Sequence, residues 1–516
     1  MFKELENLKI KNKVYLRNNT FVFKNNSKEP LSNYSFFLLA EAIDKIFLKN
    51  NYRKIMISHE GINFNKKIYD VIGYYLNEKK YLILNYESLL STNLILDEKF
   101  YKSGYYDVLI KFIQKSKNVL EMKIYSDNFE LVNSNEILNY YNSLNIEYLP
   151  YKDFISTNIN CLSYIENMSS KKDMLKPFAN IKQRYKSKSF IACKDYFSSK
   201  LISDLLKNYN TDFKIPKKNK NYRWINFSTS FFYRWSLIKQ NYKNIFYFDD
   251  LSNIKIALWL NKKFTQMKFQ DIVLIYLDFF FEELKRAKVD ISEKFIVIPQ
   301  NATYQVIDLV NQYKVKWFYY DEDKNNNKFN DPNCLFVFIN NKVIANPRYS
   351  IQFNNYYFFI CLIWMLNTYT NRNNLLNFKC KRINEVFGKL KIKSKKYKFN
   401  KNLINPLIES AKEMINVIHN RNDNSKTLLK NINIFNKWND DKLILFKLIT
   451  NKHHQLVFIY DDITSKLIVE FQLCYEYEFK SYNVFLDKLK LGYFVLKLLS
   501  KAKKIHLKQI KNNSKK

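Results

Sequence analysis

Two hydrophobic periods alternate along most of this chain. Short runs rich in β-branched and aromatic residues, at 53–58, 81–85, 107–112 and 120–125, predict strands. Residues 66–79 place Ile68, Val71, Ile72 and Tyr75 on one face of a helix, and 135–144 predict another. A polar connection is expected at 114–118. The alternation restarts near Tyr151, with a strand at 189–193, a helix at 197–208 and a basic loop at 214–220. Strands at 244–248 and 254–260 flank a short acidic turn.

A third stretch begins near Lys263. It predicts a helix over 269–288, a strand over 294–298, a helix over 304–313 and a strand over 315–320. Residues 321–333, dense in Asn, Asp and Lys, predict a surface loop. A strand at 335–340 and an apolar helix at 355–367 follow. A Lys- and Asn-rich linker is expected over 391–402. Strands at 442–449, 455–460 and 467–473 and a long helix over 481–504 complete the pattern. Strands alternating with helices imply an α/β protein. The boundaries expected are 1–150, 151–262, 263–390 and 391–516: three successive α/β domains, then a smaller C-terminal α+β domain.

Composition refines this picture. With 516 residues and 47% hydrophobic content, the chain has the material for several cores. Lys and Arg outnumber Asp and Glu by 85 to 48, a formal charge of +37. The lysines are dispersed, as in proteins of A/T-rich genomes, and no nucleic-acid reader motif accompanies them, so nucleic acid is not the expected partner. The densest basic stretch, 501–516, reads as a solvated tail. Six scattered cysteines without a C-x-x-C pair read as small buried residues of a reducing compartment. His453 and His454 read as a surface pair rather than metal ligands. The charged start is no signal peptide, and the apolar runs near 272–281 and 356–366 are shorter than the roughly 18 residues of a membrane span. The expected location is therefore cytoplasmic, with no membrane span.

The element order resembles the α-D-phosphohexomutases, the family of phosphoglucomutases and phosphomannomutases. The segment VYLRNNTFVF at 14–23 sits where that family carries Phe-Gly-Thr-x-Gly-x-Arg, and KIMISHEGI at 54–62 resembles its next strand and turn. Residues 106–125, YDVLIKFIQKSKNVLEMKIY, resemble the stretch that holds the active-site serine loop and then Tyr-Asn-Gly-x-Lys-x-Tyr. IFYFDDLSNIKIALW at 245–259 resembles the region around Asp-x-Asp-x-Asp-Arg. CLFVFINNKV at 334–343 resembles the sugar-selecting loop, and 455–473 resemble the phosphate-loop region. The resemblance is collinear over nearly the whole chain, but it lies in pattern rather than in motif identity. It implies that the three α/β domains are similar and, with the smaller C-terminal α+β domain, surround a central cleft.

What the resemblance implies chemically is largely missing. The family moves a phosphoryl group between O1 and O6 of a hexose, using a phosphoserine, a divalent cation, a sugar-orienting loop and a phosphate clamp. The serine position falls at Ile113, which has no group to phosphorylate; Ser116 lies three residues on. The three cation-binding aspartates fall at Asp250, Ser252 and Ile254, with Asp249 adjacent and Lys255 in place of the arginine. Mg²⁺ prefers carboxylate oxygens, so no cofactor is expected here unless the site is rebuilt. The sugar loop falls at Asn340 and Asn341, without its glutamate; Asn-Asn is ordinary turn chemistry. The phosphate loop, 459–465, has neither arginine nor glycine, and Asp461 and Asp462 oppose a phosphate dianion. Only five glycines occur in the chain, against an average usage of about 7%.

Two readings follow from the same residues. One is a degenerate, inactive phosphohexomutase-like protein that serves as a structural or interaction subunit with protein partners in an assembly. The alternative is a divergent mutase, an intramolecular phosphotransferase, or a sugar-phosphate binder. It would use Lys111, Lys115, Lys255 and Lys466 to hold a hexose phosphate.

Overall fold

The computed structural model of the chain describes residues 11–17, 19–24, 31–60, 66–86, 106–116, 119–126, 132–145, 157–159, 186–193, 196–207, 212–216, 231–249, 253–320, 331–339, 341–345, 354–372, 376–420, 429–439, 442–450, 452–462, 464–475 and 481–513. These residues form four sheets interleaved with helices.

The first sheet combines β1 (Val14–Arg17), β2 (Thr20–Lys24), β3 (Lys54–Glu60), β4 (Leu82–Tyr86), β5 (Val108–Ser116), β6 (Val119–Tyr125) and β7 (Thr157–Ile159) in the order β1-β2-β6-β5-β3-β4-β7. β5, β3, β4 and β7 run parallel; β6 turns back antiparallel on β5 and leads to the β1–β2 hairpin. Helices α1 (Asn33–Lys49), α2 (Lys66–Glu78) and α3 (Ser134–Ser143) accompany it. Alternation assigns the faces. Val108, Ile110 and Phe112 of β5 and Leu120, Met122 and Ile124 of β6 join Phe36, Ile43 and Phe47 of α1 and Ile72 of α2 in one core. The α1 helix begins at Ser32, whose Oγ accepts the Ser35 N–H at 3.1 Å.

The second sheet has the order β12-β11-β10-β8-β9, from β8 (Ser189–Cys193), β9 (Phe213–Lys214), β10 (Asn244–Phe248), β11 (Ile254–Leu260) and β12 (Lys263–Met267). Helices α4 (Tyr196–Lys207) and α5 (Phe231–Lys239) lie within its span of sequence. The third sheet is opened by α6 (Phe269–Arg286). It comprises β13 (Phe295–Ile298), β14 (Lys316–Tyr319), β15 (Cys334–Ile339) and β16 (Lys342–Ile344), ordered β14-β13-β15-β16. Helix α7 (Tyr304–Gln312) joins β13 to β14, and α8 (Asn355–Asn371) and α9 (Leu376–Phe387) follow. Buried Lys379 of α9 ion-pairs with Asp278 and Glu282 of α6, tying the two helices together.

The fourth sheet is antiparallel throughout: β17 (Lys389–Lys398), β18 (Leu429–Asn439), β19 (Lys442–Thr450), β20 (Gln455–Asp461) and β21 (Lys466–Tyr475), ordered β17-β21-β20-β19-β18. Its core face packs against α10 (Ile404–Asn420) and α11 (Ser481–Asn513) through residues such as Leu407, Phe458, Phe471, Leu491, Val495 and Leu498. By contact, the chain divides into two compact units. One holds residues 1–182, 186–257 and 349–360; the other holds 183–185, 258–348 and 361–516.

Several sequence expectations change. The linker expected at 391–402 is mostly strand β17, because Leu390 and Ile392 alternate with lysines and the segment pairs residue by residue with β21. The polar connection expected at 114–118 is mostly strand as well: β5 continues through Ser116. The basic end is no tail, since α11 runs to Asn513. His454 is not on the surface. It is buried, its Nε2 lies 3.3 Å from Asp487 Oδ2, and its Nδ1 accepts the Cys474 N–H at 3.2 Å. Burial holds its pKa below the ordinary histidine value, against the pull of Asp487. His453 occupies the turn and stacks on Tyr304, with ring centroids 4.4 Å apart. The loop expected at 321–333 lies mainly outside the described residues.

Helix ends show how the chain manages with so little glycine. α1, α2, α5, α6 and α7 each finish with a left-handed residue: Asn51, Lys80, Asn241, Lys288 and Lys314, at φ between 53° and 66°. In each case the next residue's N–H reaches back to a carbonyl five positions earlier, as in Tyr52 to Phe47 (3.0 Å), Tyr81 to Leu76 (3.1 Å) and Val289 to Leu284 (3.0 Å). This is the Schellman arrangement, normally built on glycine.

Candidate functional site

The four segments that the resemblance makes catalytic are placed as follows. On β5, Ile113 is buried and pairs across the sheet with Glu60 of β3 and Glu121 of β6. Only positions 117 and 118 separate β5 from β6, and the register bulges between Gln114 and Ser116. Gln114 Nε2 donates to the Val119 carbonyl at 3.2 Å, closing the hairpin. The segment is therefore a short hairpin end. Lys111 lies two residues before Ile113 on the same face and is also buried; Lys115 and Ser116 lie further along the same strand.

An ion pair beside Ile113 escaped the sequence reading. Arg17 Nη2 of β1 lies 2.5 Å from Glu121 Oε1 of β6, and both side chains are buried. Glu121 stands directly opposite Ile113. The only signal in the sequence is that each charge occupies a non-core position in an alternating strand, among Val14 and Leu16 or Leu120 and Met122. Nothing local links two residues 104 positions apart.

At the expected cation loop, Asp250 and Ser252 lie outside the described residues. Asp249 is half-buried: Oδ1 accepts the Asn253 N–H at 2.9 Å and Oδ2 accepts the Asn253 side-chain amide at 3.2 Å. This is turn chemistry. Ile254 is buried at the start of β11 and offers no ligand atom. Lys255 is exposed, its Nζ 5.5 Å from the centre of the Tyr247 ring. Among the described residues no three His, Cys, Asp or Glu side chains are grouped to hold a metal ion.

At the expected sugar loop, Asn340 lies outside the described residues and Asn341 is exposed in the turn. Ile339 pairs with Lys342 at the end of the antiparallel β15–β16 pair, and Asn341 immediately precedes β16. At the expected phosphate loop, Asp461 pairs with Lys466 across the β20–β21 hairpin. Asp461 Oδ1 accepts the Thr464 N–H at 3.0 Å. Asp462 lies 3.8 Å from Lys401 Nζ, a cation the sequence reading did not single out. The turn thus keeps its acidic groups occupied with its own backbone and one lysine. Ile113 and Ile254 lie in the first compact unit, and Asn341 and Lys466 in the second.

No protein-family model matches the chain, and no curated protein matches it in sequence. Solved structures do match. The chain aligns over 92% of its length with 92% of the exocytosis-sensitive phosphoprotein pp63/parafusin, a phosphoglucomutase from Paramecium, at TM-score 0.62 and 10% identity. A phosphoglucomutase/phosphomannomutase family protein from Burkholderia thailandensis aligns at TM-score 0.61 and 10% identity, covering 94% of this chain and 96% of that one. A protein from Thermus thermophilus, named as a phosphomannomutase, aligns over 96% of this chain and 99% of its own, at TM-score 0.60 and 10% identity.

The chain has the phosphohexomutase fold. The four segments that the sequence resemblance matches to the family's site motifs are the β5–β6 hairpin, the stretch that follows Asp249, the β15–β16 connection and the β20–β21 connection. The described side chains there are an isoleucine, a turn-closing aspartate, an exposed asparagine and two aspartates held by their own surroundings.

Proposed function

We propose that this phosphohexomutase-fold chain has no mutase activity and serves as a structural or interaction subunit with protein partners. One observation carries the reading most of the way. At the position that the resemblance gives to the nucleophile, buried Ile113 is paired in the ladder between β3 and β6, and two residues are all that separate β5 from β6. Phosphoryl transfer depends on positioning and charge stabilisation around an oxygen nucleophile, and removing a nucleophile alone costs on the order of 10⁶ in rate in a well-studied hydrolase. The described residues at the expected cation loop do not fit a divalent cation either. Asp249 spends both oxygens on Asn253, and Ile254 has none to offer. Against this, the apolar cores around the altered turns are well formed, as expected of a chain kept for its surface.

Purified protein given glucose 1-phosphate or mannose 1-phosphate, Mg²⁺ and a bisphosphate primer is expected to show no interconversion, and intact mass no phosphoserine. Turnover abolished by Ser116→Ala would overturn the proposal in favour of a divergent mutase with a displaced nucleophile. A hexose-phosphate thermal shift that disappears at high salt, without turnover, would instead mark a sugar-phosphate binder.

A further inference from the structure

The last helix carries two apolar faces, and the fold uses only one. Leu491, Val495, Leu498 and Ala502 of α11 are buried in the core of the fourth sheet. At about 100° per residue, Leu489, Tyr493, Leu496 and Leu507 fall within about 60° of one another on the far side. They are 55%, 72%, 57% and 58% exposed. Lysines border this stripe on both flanks: Lys488 and Lys503 on one, Lys490, Lys497, Lys504 and Lys508 on the other.

The flank at Lys488 continues onto β17, the edge strand of the sheet, which has six lysines in ten residues. Lys389, Lys391, Lys393 and Lys395 alternate along it and are all exposed. Lys395 faces α11 closely: a methyl group added at Gly492 would lie 3.8 Å from its Nζ. Lys393, Lys395 and Lys391 hold the Lys488 pKa below its ordinary value. Like charges gathered this way oppose one another. A surface of this kind is stabilised by an anionic partner extended enough to meet both elements.

Two polyanions fit the charge, and the stripe decides between them. Single-stranded nucleic acid is held by stacking on aromatic rings, and the stripe offers three leucines to one tyrosine. A lipid surface takes leucines and a tyrosine into the headgroup–acyl boundary while lysines meet anionic headgroups. No helix among the described residues is long and apolar enough to cross a membrane, so contact of this kind is peripheral.

We propose that the outer face of α11, with the lysine edge of β17, docks on an anionic lipid surface, Leu489, Tyr493, Leu496 and Leu507 entering it and Lys391, Lys393, Lys395 and Lys488 meeting its headgroups. This goes beyond the inactive-subunit reading and stands whether or not the chain turns over a sugar phosphate.

Flotation of the full chain with vesicles tests it, using phosphatidylcholine alone or with about a third phosphatidylserine. Binding is expected only to the anionic vesicles, falling steeply as salt rises. Lys391→Glu/Lys393→Glu/Lys395→Glu should weaken it by roughly a hundredfold or more. Leu489→Ser/Tyr493→Ser/Leu496→Ser should weaken it at least about tenfold. Both sets of side chains are exposed, so the melting temperature should hold. Equal binding to neutral vesicles, or none to anionic vesicles at low salt, overturns the proposal. So does full binding by the serine variant. Capture of a homopolymeric RNA that ignores the serine substitutions would replace lipid with nucleic acid.

Discussion

Lys447 sits where an ammonium ion is costly. It is fully buried on β19, its Nζ donates to the Ala302 carbonyl at 3.2 Å, and the Tyr319 ring centre lies 5.4 Å away. Burial pushes its pKa down to about 7, and Glu470 only partly offsets this. The folded state therefore binds fewer protons than the unfolded chain between about pH 7 and the ordinary lysine value of 10.5. Stability should rise with pH across that window. Lys447→Met removes the titration. It should stabilise the fold by roughly 1–4 kcal/mol at about pH 7, with the gain fading towards the ordinary lysine pKa, as read from urea melts at several pH values. A wild-type stability that is flat over this range would contradict the assignment. The charged core was illegible in the sequence. In β19 Lys447 interrupts an otherwise apolar run from Leu443 to Ile449, and only the fold shows that its side chain stays buried, against Ala302 and Tyr319.

At the level of elements, most strands and long helices were legible, because alternation and helical spacing are local. The misses have local causes too. Residues 36–40 of α1 are continuously apolar, which hides the periodicity; twelve residues of that helix are buried. The lysines of β17 mask its alternation with Leu390, Ile392 and Tyr397. The candidate site was legible as residue types, Ile113 and Asp249 among them; Asp249's partner Asn253 is local, but Glu60 opposite Ile113 and the Arg17–Glu121 pair beside it join distant parts of the sequence. Glycine supplies one element-scale test. Gly388, between α9 and β17, has φ +77°, and a Cβ there would lie 2.7 Å from the Tyr475 carbonyl oxygen. Gly388→Ala should cost about 2 kcal/mol or more, read as a lowered denaturation midpoint. An unchanged midpoint would mean that the turn relaxes freely.

For the whole molecule, the contact pattern gives two compact units, each with its own apolar core. Such chains rarely unfold in one cooperative step. Scanning calorimetry should yield a measured enthalpy clearly above the van't Hoff enthalpy, or two resolved transitions. A single transition with equal enthalpies would show the units to be thermodynamically one. At this scale the sequence also foretold the α/β architecture and the phosphohexomutase resemblance, since the order of elements survives when motifs do not. The two-faced helix was harder to see: the predicted helix stopped at Lys504, and an exposed leucine stripe is distinguishable from a core stripe only once the core is known.

The five helix ends closed by asparagine or lysine have a bearing on protein engineering. Each left-handed lysine strains against its own Cβ, and a substitution such as Lys80→Gly, Lys288→Gly or Lys314→Gly would relieve about 1 kcal/mol. The three sites close three different helices, so the gains should add. A nucleotide bias that starves a genome of glycine codons would thus leave behind a reserve of thermal robustness, recoverable by exchanging single residues without touching any core.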